Sequence, residues 1–271
     1  MGLSLLNNIA ALQAQNEIQI NSKNLQTTLF QLSTGSRINT GADDPAGLSI
    51  ANELQASIAA LQQSSANANS GIGLAQTADG GFAQITTLLD RAVTLATEAS
   101  NGGLSTSQAT ALDNEFTSIK SEIDRIGTST TFNGTSVFTA STTSIFLSDA
   151  GSSSTIAFAV GTLSSAGLGL GGTSLTSTAN AQTALTAINT AVGTVASDRG
   201  TLGASLNRLQ SAQNVINVQV QNITSAESSI TSANIPQEVT KLAQESILNQ
   251  TGIAALSQAN QQTQALLALF R

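Results

Sequence analysis

Residues 185–230 read LTAINTAVGTVASDRGTLGASLNRLQSAQNVINVQVQNITSAESSI. Leu, Ile or Val stands at 185, 188, 192, 195, 202, 206, 209, 216, 220, 223 and 230; with Arg199, Gln213 and Glu227 these positions keep an unbroken 3,4 spacing. A hydrophobic repeat of 3.5 residues marks a helix that shares a long seam with another helix. Burying the apolar members at ~1.5 to 3 kcal/mol each yields roughly 15 to 30 kcal/mol gross, before ordering entropy is subtracted. The pattern therefore demands a partner helix of similar length. Arg199 is expected to pair with a carboxylate or to carry its head out to solvent.

The first half of the chain supplies partners. Asp44 followed by Pro45 reads as an N-cap and a first helical position, and a helical pattern then runs through Leu54, Ile58, Leu61, Phe82, Ile85, Leu89 and Leu95 to Asn101. Unbroken, residues 45–100 would span about 84 Å. Gly71, Gly73, Gly80 and Gly81 weaken helix propensity, which predicts a kink or close packing. Asp43 and Asp44 are read as capping groups rather than as a metal or catalytic pair. A third helix is predicted from about Ser107 to Ile126, with Leu112, Phe116, Ile119, Ile123 and Ile126 in register.

The middle differs in composition. Asn133-Gly134 between β-favouring residues predicts a hairpin, and residues 144–147 and 155–160 read as two further strands. Residues 161–179 are mostly Gly, Ser, Thr and Leu and are expected to be a flexible connector. The strip Gly167 to Gly172 lacks the lysine and the strand-to-helix setting of a phosphate loop.

Both ends of the chain are almost free of charge. Residues 246–270 carry none, and Glu17 is the single charge in residues 1–22. Leu5, Ile9 and Leu12 form one apolar stripe and Ile253, Leu256, Leu267 and Phe270 another, without the charged face that keeps a surface helix solvated. They are expected to be buried against other chains; the second seam includes Val239 and Leu242 in the same register, with Ser246, Asn249, Asn260 and Thr263 as polar members that fix it.

Composition excludes several function classes. The chain has no His, Cys, Trp or Tyr and only nine Lys plus Arg, so neither a zinc site of Cys and His nor a triad with a His base can form. No catalysis, metal or cofactor is expected. A net charge of -7 predicts no nucleic-acid partner and no binding to an anionic membrane. No run of 18 apolar residues reads as a membrane span. The first residues lack a basic leader and a continuous apolar core, so any release from the cell is expected to use another route.

Two separated motifs then name a family. LSTGSRINTGADDPAGLSIA at 32–51 closely resembles the N-terminal segment of bacterial flagellins, and AQESILNQ at 243–250, ALSQANQ at 255–261 and LFR at 269–271 resemble the flagellin C-terminal pattern. The resemblance covers about residues 1–138 and 180–271. It implies a mainly α fold: a long antiparallel helical bundle or coiled coil built from both chain ends, with small β-hairpins at about 131–179. Residues 1–43 with 231–271 would form a terminal coiled-coil domain, disordered in the free monomer and ordered on polymerisation. Residues 44–230 would form the next shell outward, with the hairpin segment at its side or tip. The implied function is that of a secreted, extracellular subunit that polymerises with copies of itself into the helical filament used for motility. The runner-up is a flagellin-like protein joining hook to filament. The resemblance further implies a flagellar export apparatus, a secretion chaperone and a filament cap as partners, and an assembly or inter-segment contact for Arg37. In some flagellins an animal innate immune receptor is met by an Arg, a Leu and a Glu; Arg91, Leu95 and Glu115 match those positions, although Val93 and Thr94 stand where a charged pair is common.

Overall fold

The computed structural model describes residues 8–149 and 154–269, except for the side chains of residue 263 and residues 265–269. Leu5 and Phe270, and the side chain of Leu267, thus lie outside the described part. Among the described residues the elements are α1 (Ile9–Thr34), α2 (Pro45–Ala99), α3 (Thr106–Ser129), β1 (Thr131–Phe132), β2 (Thr135–Ser136), β3 (Thr142–Phe146), β4 (Thr155–Ala159), α4 (Thr178–Thr231) and α5 (Ile235–Leu269). They gather into two compact units. One holds the described residues up to Ala56 and from Asn222 onward, the other Ser57–Gln221.

In the second unit α2 and α4 run antiparallel. Arg199 Nε donates to Asp79 Oδ1 at 2.8 Å, and Gln213 Nε2 donates to Asn69 Oδ1 at 2.8 Å. Two of the three polar seam positions of α4 are therefore matched by polar side chains of α2, and hydrogen bonding by Asp79 strengthens the hold of Arg199 on its proton. Every one of the fourteen seam positions of α4 is buried or half-buried. One residue earlier in the heptad, Ala184, Ala191 and Ser205 are buried too, so the seam is wider than two rows, as on a helix gripped by more than one neighbour.

The matching surface of α2 is made mostly of small residues. Leu61, Ser64, Ala68, Gly71, Ala75, Ala78, Phe82, Ile85, Leu89, Ala92, Ala96 and Ala99 keep the 3,4 spacing and all are buried. A row dominated by Ala, Gly and Ser lets neighbours approach closely, and the dispersion gained across many such contacts replaces the bulk of a leucine seam. At Gly71 a Cβ would sit 2.9 Å from Ile145 Cγ1, and at Gly81 2.7 Å from Phe138 Cζ. Close packing is thus what Gly71 and Gly81 serve, whereas nothing lies within 4 Å of a Cβ at Gly80; α2 continues through all of them as one helix.

The β segment lies along the side of α2. Asn133 and Gly134, with φ of 49° and 76°, make the two-residue turn between β1 and β2, in the left-handed conformation that the twist of a tight hairpin favours. β3 and β4 pair antiparallel from Thr142↔Ala159 to Phe146↔Thr155. Phe138 meets Phe82 edge to face at 5.1 Å, and Ser64 Oγ donates to the Ser148 carbonyl at 3.0 Å.

Residues 161–177 are not the expected loose connector. Leu163, Leu168, Leu170 and Leu175 are buried, and charged side chains of α3 hold the backbone around them. Asp124 accepts from Ser165 N at 2.7 Å and Ser165 Oγ at 2.8 Å; Asp113 accepts from Leu175 N at 2.6 Å; Lys120 Nζ donates to the Thr173 carbonyl at 2.7 Å. The glycines serve turns between leucine anchors, which composition alone reads as low complexity. Gly127 of α3 completes the fit, because a Cβ there would overlap the Leu163 carbonyl oxygen. Among the described residues no helix is long and apolar enough to cross a membrane.

These contacts separate two glycines of equal intrinsic propensity. Gly127→Ala is expected to lower stability by about 1 to 3 kcal/mol through overpacking. Gly200→Ala, with nothing within 4 Å of its Cβ, is expected to raise it by up to about 1 kcal/mol; thermal unfolding of the two variants checks both signs.

Candidate functional site: the paired chain ends

The chain ends are brought together by backbone chemistry before any packing. Asn8 caps α1 by accepting from Ala11 N at 3.0 Å, and α1 stops at Gly35 in the left-handed conformation, φ 68°. The chain then runs beside the turn between α4 and α5. Arg37 N donates to the Thr231 carbonyl at 2.6 Å, Ala233 N donates to the Gly35 carbonyl at 3.0 Å, and Ser36 Oγ donates to the Thr231 carbonyl at 2.9 Å. The Arg37 guanidinium reaches the Ile230 carbonyl at 2.9 Å, so a cation sits where the last carbonyls of α4 concentrate negative partial charge. Arg37 therefore makes an inter-segment contact within the chain.

Past this clasp the chain is turned into α2 by the paired carboxylates. Asp44 accepts from Gly47 N at 2.9 Å, the hydrogen bond of an N-cap. Asp43 Oδ2 accepts from Thr40 N at 2.8 Å, Asn39 N at 3.0 Å and Thr40 Oγ1 at 3.0 Å. These bonds favour the carboxylate and hold the Asp43 pKa below its ordinary value.

α1 and α5 form an antiparallel pair. Asn21 Nδ2 donates to the Glu245 carbonyl at 2.7 Å, Asn249 Nδ2 to Ser22 Oγ at 3.0 Å, and Asn8 Nδ2 to the Ala259 carbonyl at 3.1 Å. The seam runs through Ala11, Ala14, Ile18, Asn21, Leu25, Thr28 and Leu32 on α1, and through Glu238, Leu242, Glu245, Asn249, Gly252, Leu256 and Ala259 on α5; each is at least half-buried. The expected α5 register is thus half right. Leu242, Asn249 and Leu256 face α1, whereas Val239 and Ile253 are exposed, at 49% and 55%. Gly252 explains the shift: a Cβ there would sit 2.8 Å from Ile18 Cγ1, so the closest approach falls on the small-residue side of the helix.

Only five of those fourteen seam residues are large and apolar. Among the described side chains of the same two helices, ten large apolar residues face away: Ile9, Leu12, Ile20, Leu29 and Phe30 on α1, and Ile235, Val239, Ile247, Leu248 and Ile253 on α5. Ile9 and Leu12 stand at 62% and 72% exposure. A coiled coil that served only its own chain would carry the opposite arrangement. Burying the remaining area of these side chains is worth on the order of 10 kcal/mol gross.

In the seam, Glu238 Oε1 takes a 2.8 Å salt bridge from Lys241, while Glu238 Oε2 and Glu245 Oε2 are buried without a hydrogen-bond partner. Nothing in residue spacing singles out these two acids. Away from the paired ends, Arg91 and Glu115 are exposed and form a 2.7 Å ion pair between α2 and α3, whereas Leu95 is fully buried. Sequence spacing brings the three together on the chain but does not separate surface from core. Among the described residues no three metal-ligating side chains come together.

Helices from both chain ends, clasped at their roots and apolar outward, define a structural subunit built to associate with like chains. Two family descriptions match: the bacterial flagellin N-terminal helical region over residues 5–143 and the bacterial flagellin C-terminal helical region over residues 185–270. The chain is 34% identical to a flagellin of Halalkalibacterium halodurans over 267 residues, 97% of this chain and 98% of that one. It is 30% identical to a flagellin of Bacillus subtilis, with the same coverage of both, and 30% identical to a flagellar filament core protein of Treponema maltophilum. The crystal structure of Bacillus cereus flagellin superposes with a TM-score of 0.50 at 30% identity, over 60% of this chain and 94% of that one. The chain belongs to the bacterial flagellin family, and its role is that of a structural subunit of the flagellar filament. The relatives' names are those of filament proteins, which does not favour the hook-junction alternative.

The lowered pKa of Asp43 fixes a sign. Its contribution to the 39–44 turn is complete above the ordinary Asp pKa and is lost only as pH falls through the lowered native value. Amide chemical shifts of Asn39 and Thr40, followed through an acid titration, are expected to move below the ordinary Asp range.

Proposed function

We propose that polymerisation runs through the outward faces of α1 and α5. The observation that carries this reading is the reversed pattern of the pair, with polar residues in the seam and ten large apolar residues facing away. Ile9, Leu12 and Ile253 are the residues that neighbouring copies bury; Leu256 and Arg37 hold the pair itself together. By sequence spacing Leu5 and Leu267 extend these outward faces, and Phe270 extends the row of Leu256. Contacts of this kind, repeated head to tail without closing a ring, build a helical filament. The role is mechanical rather than catalytic.

The functional boundaries fall where helices are interrupted, between α1 and α2 and between α4 and α5. Residues 1–43 with 231–271 act as the assembly domain, ordered when copies surround them, and residues 44–230 as the self-sufficient shell. Coupling order to association keeps the apolar faces hidden until a partner is present. The chain leaves the cell unfolded through the flagellar export apparatus, with a secretion chaperone and a filament cap as partners, and works outside the cell in motility. An animal innate immune receptor docking on the α2–α3 face would meet Arg91 and Glu115, with Leu95 beneath them supporting the helix rather than touching the partner.

Leu12→Asp and Ile253→Asp are each expected to abolish elongation from filament seeds, while the thermal unfolding of the shell stays unchanged. Limited proteolysis of the unassembled chain is expected to trim both ends and leave about residues 44–230. Elongation at the unaltered rate in both variants would overturn the assignment of these faces.

A further inference from the structure

Glu238 and Glu245 lie one heptad apart on the inward face of α5, and each has a buried carboxylate oxygen that accepts no hydrogen bond. The two are not equivalent. Glu238 lies in the first turn of α5, where the helix N-terminus favours negative charge, and its other oxygen holds Lys241 at 2.8 Å. Glu245 has neither offset. On α1, the facing helix, the titratable side chains are Glu17 and Lys23; both are exposed and neither forms an ion pair with Glu245. Around Glu245 the seam offers Asn21, which donates to its main-chain carbonyl, and the Ser22–Asn249 hydrogen bond one turn on. The amides of this polar cluster are thus used on other acceptors.

An acceptor taken out of water with nothing to replace the water opposes the burial that creates it, more so when it is ionised. A leucine at 245 would extend the apolar contacts of Leu242 and Leu256 along the same seam. The acid does the reverse, on a pair whose closure also commits ten large apolar side chains to solvent in an isolated chain.

We propose that Glu245 is a built-in brake on closure of the α1–α5 pair: its one buried, unpaired carboxylate oxygen keeps the pair open in the lone chain, and closure is completed only when other copies cover the outward apolar faces. This rests on the assembly reading above and assigns the seam a regulatory part within it. The brake prevents a lone chain from displaying its outward apolar faces in ordered form.

The test is backbone amide exchange across α1 and α5 in the full, unassembled chain, paired with elongation from seeds. Glu245→Gln removes the charge and Glu245→Met removes the polar group at similar size; Glu17→Gln removes one charge from the same helix pair at an exposed position. Both Glu245 variants are expected to slow exchange about tenfold, with Glu17→Gln unchanged. Unaltered exchange in both Glu245 variants, or equal slowing by Glu17→Gln, overturns the brake. A failure of the assembly reading looks different, because Leu12→Asp and Ile253→Asp would then elongate on seeds at the unaltered rate.

Discussion

Two helices packed against each other have one seam, and α1 and α5 carry more apolar surface than one seam can hide. The seam is occupied by Asn21, Thr28, Glu238, Glu245, Asn249 and small residues, while Ile9, Leu12, Phe30, Leu248 and Ile253 point away from it. Everything else about the chain ends follows from that allocation. The cross-helix amide bonds of Asn21 and Asn249 set the register, because a polar seam has few satisfactory alignments whereas an apolar one has many. In the proposed assembly, adhesion comes instead from the outward faces, so that register and adhesion belong to different sides of the same helices.

The other unit packs differently, by closeness rather than bulk. Ala68, Gly71, Ala75 and Ala78 of α2 are buried with almost no side-chain volume of their own, so Ile145 and Leu209 come within van der Waals reach of the Gly71 backbone. Residues 161–177 fill the remaining surface, with leucines beneath and the Asp113, Lys120 and Asp124 side chains of α3 tying their backbone down. Each of those polar bonds meets an amide or carbonyl that would otherwise be buried without a partner, a debt larger than the net gain of the bond itself.

Much of this architecture is legible in the sequence because long helices write their period plainly. The α4 seam, the Asp44-Pro45 start of α2, the third helix and the Asn133-Gly134 hairpin all follow from spacing and turn chemistry. Small-residue packing is what spacing fails to show: Ala92 and Ala96 carry too little hydrophobicity to stand out, yet both are buried as deeply as Leu89. The same limit explains residues 161–177, whose four anchoring leucines are diluted by glycine and serine. At the chain ends the stripes Ile9–Leu12 and Ile253–Leu256 are visible, but periodicity does not reveal whether a stripe faces the partner helix or the solvent. That choice is made by Gly252, which admits Ile18 and turns the seam one residue aside.

The clasp at Gly35–Arg37 and Ile230–Ala233 joins segments nearly two hundred residues apart, and closing so long a loop costs entropy that a few exposed hydrogen bonds do not offset. The clasp therefore depends on order already present in the segments it joins: α1 ended at Gly35, α4 ended at Thr231 and the 39–44 turn held by Asp43 and Asp44. With those ends fixed, Arg37 needs only to reach a carbonyl that is already near. The clasp sets the roots of α1 and α5 side by side, and the amide bonds of Asn21 and Asn249 carry that alignment outward along the pair.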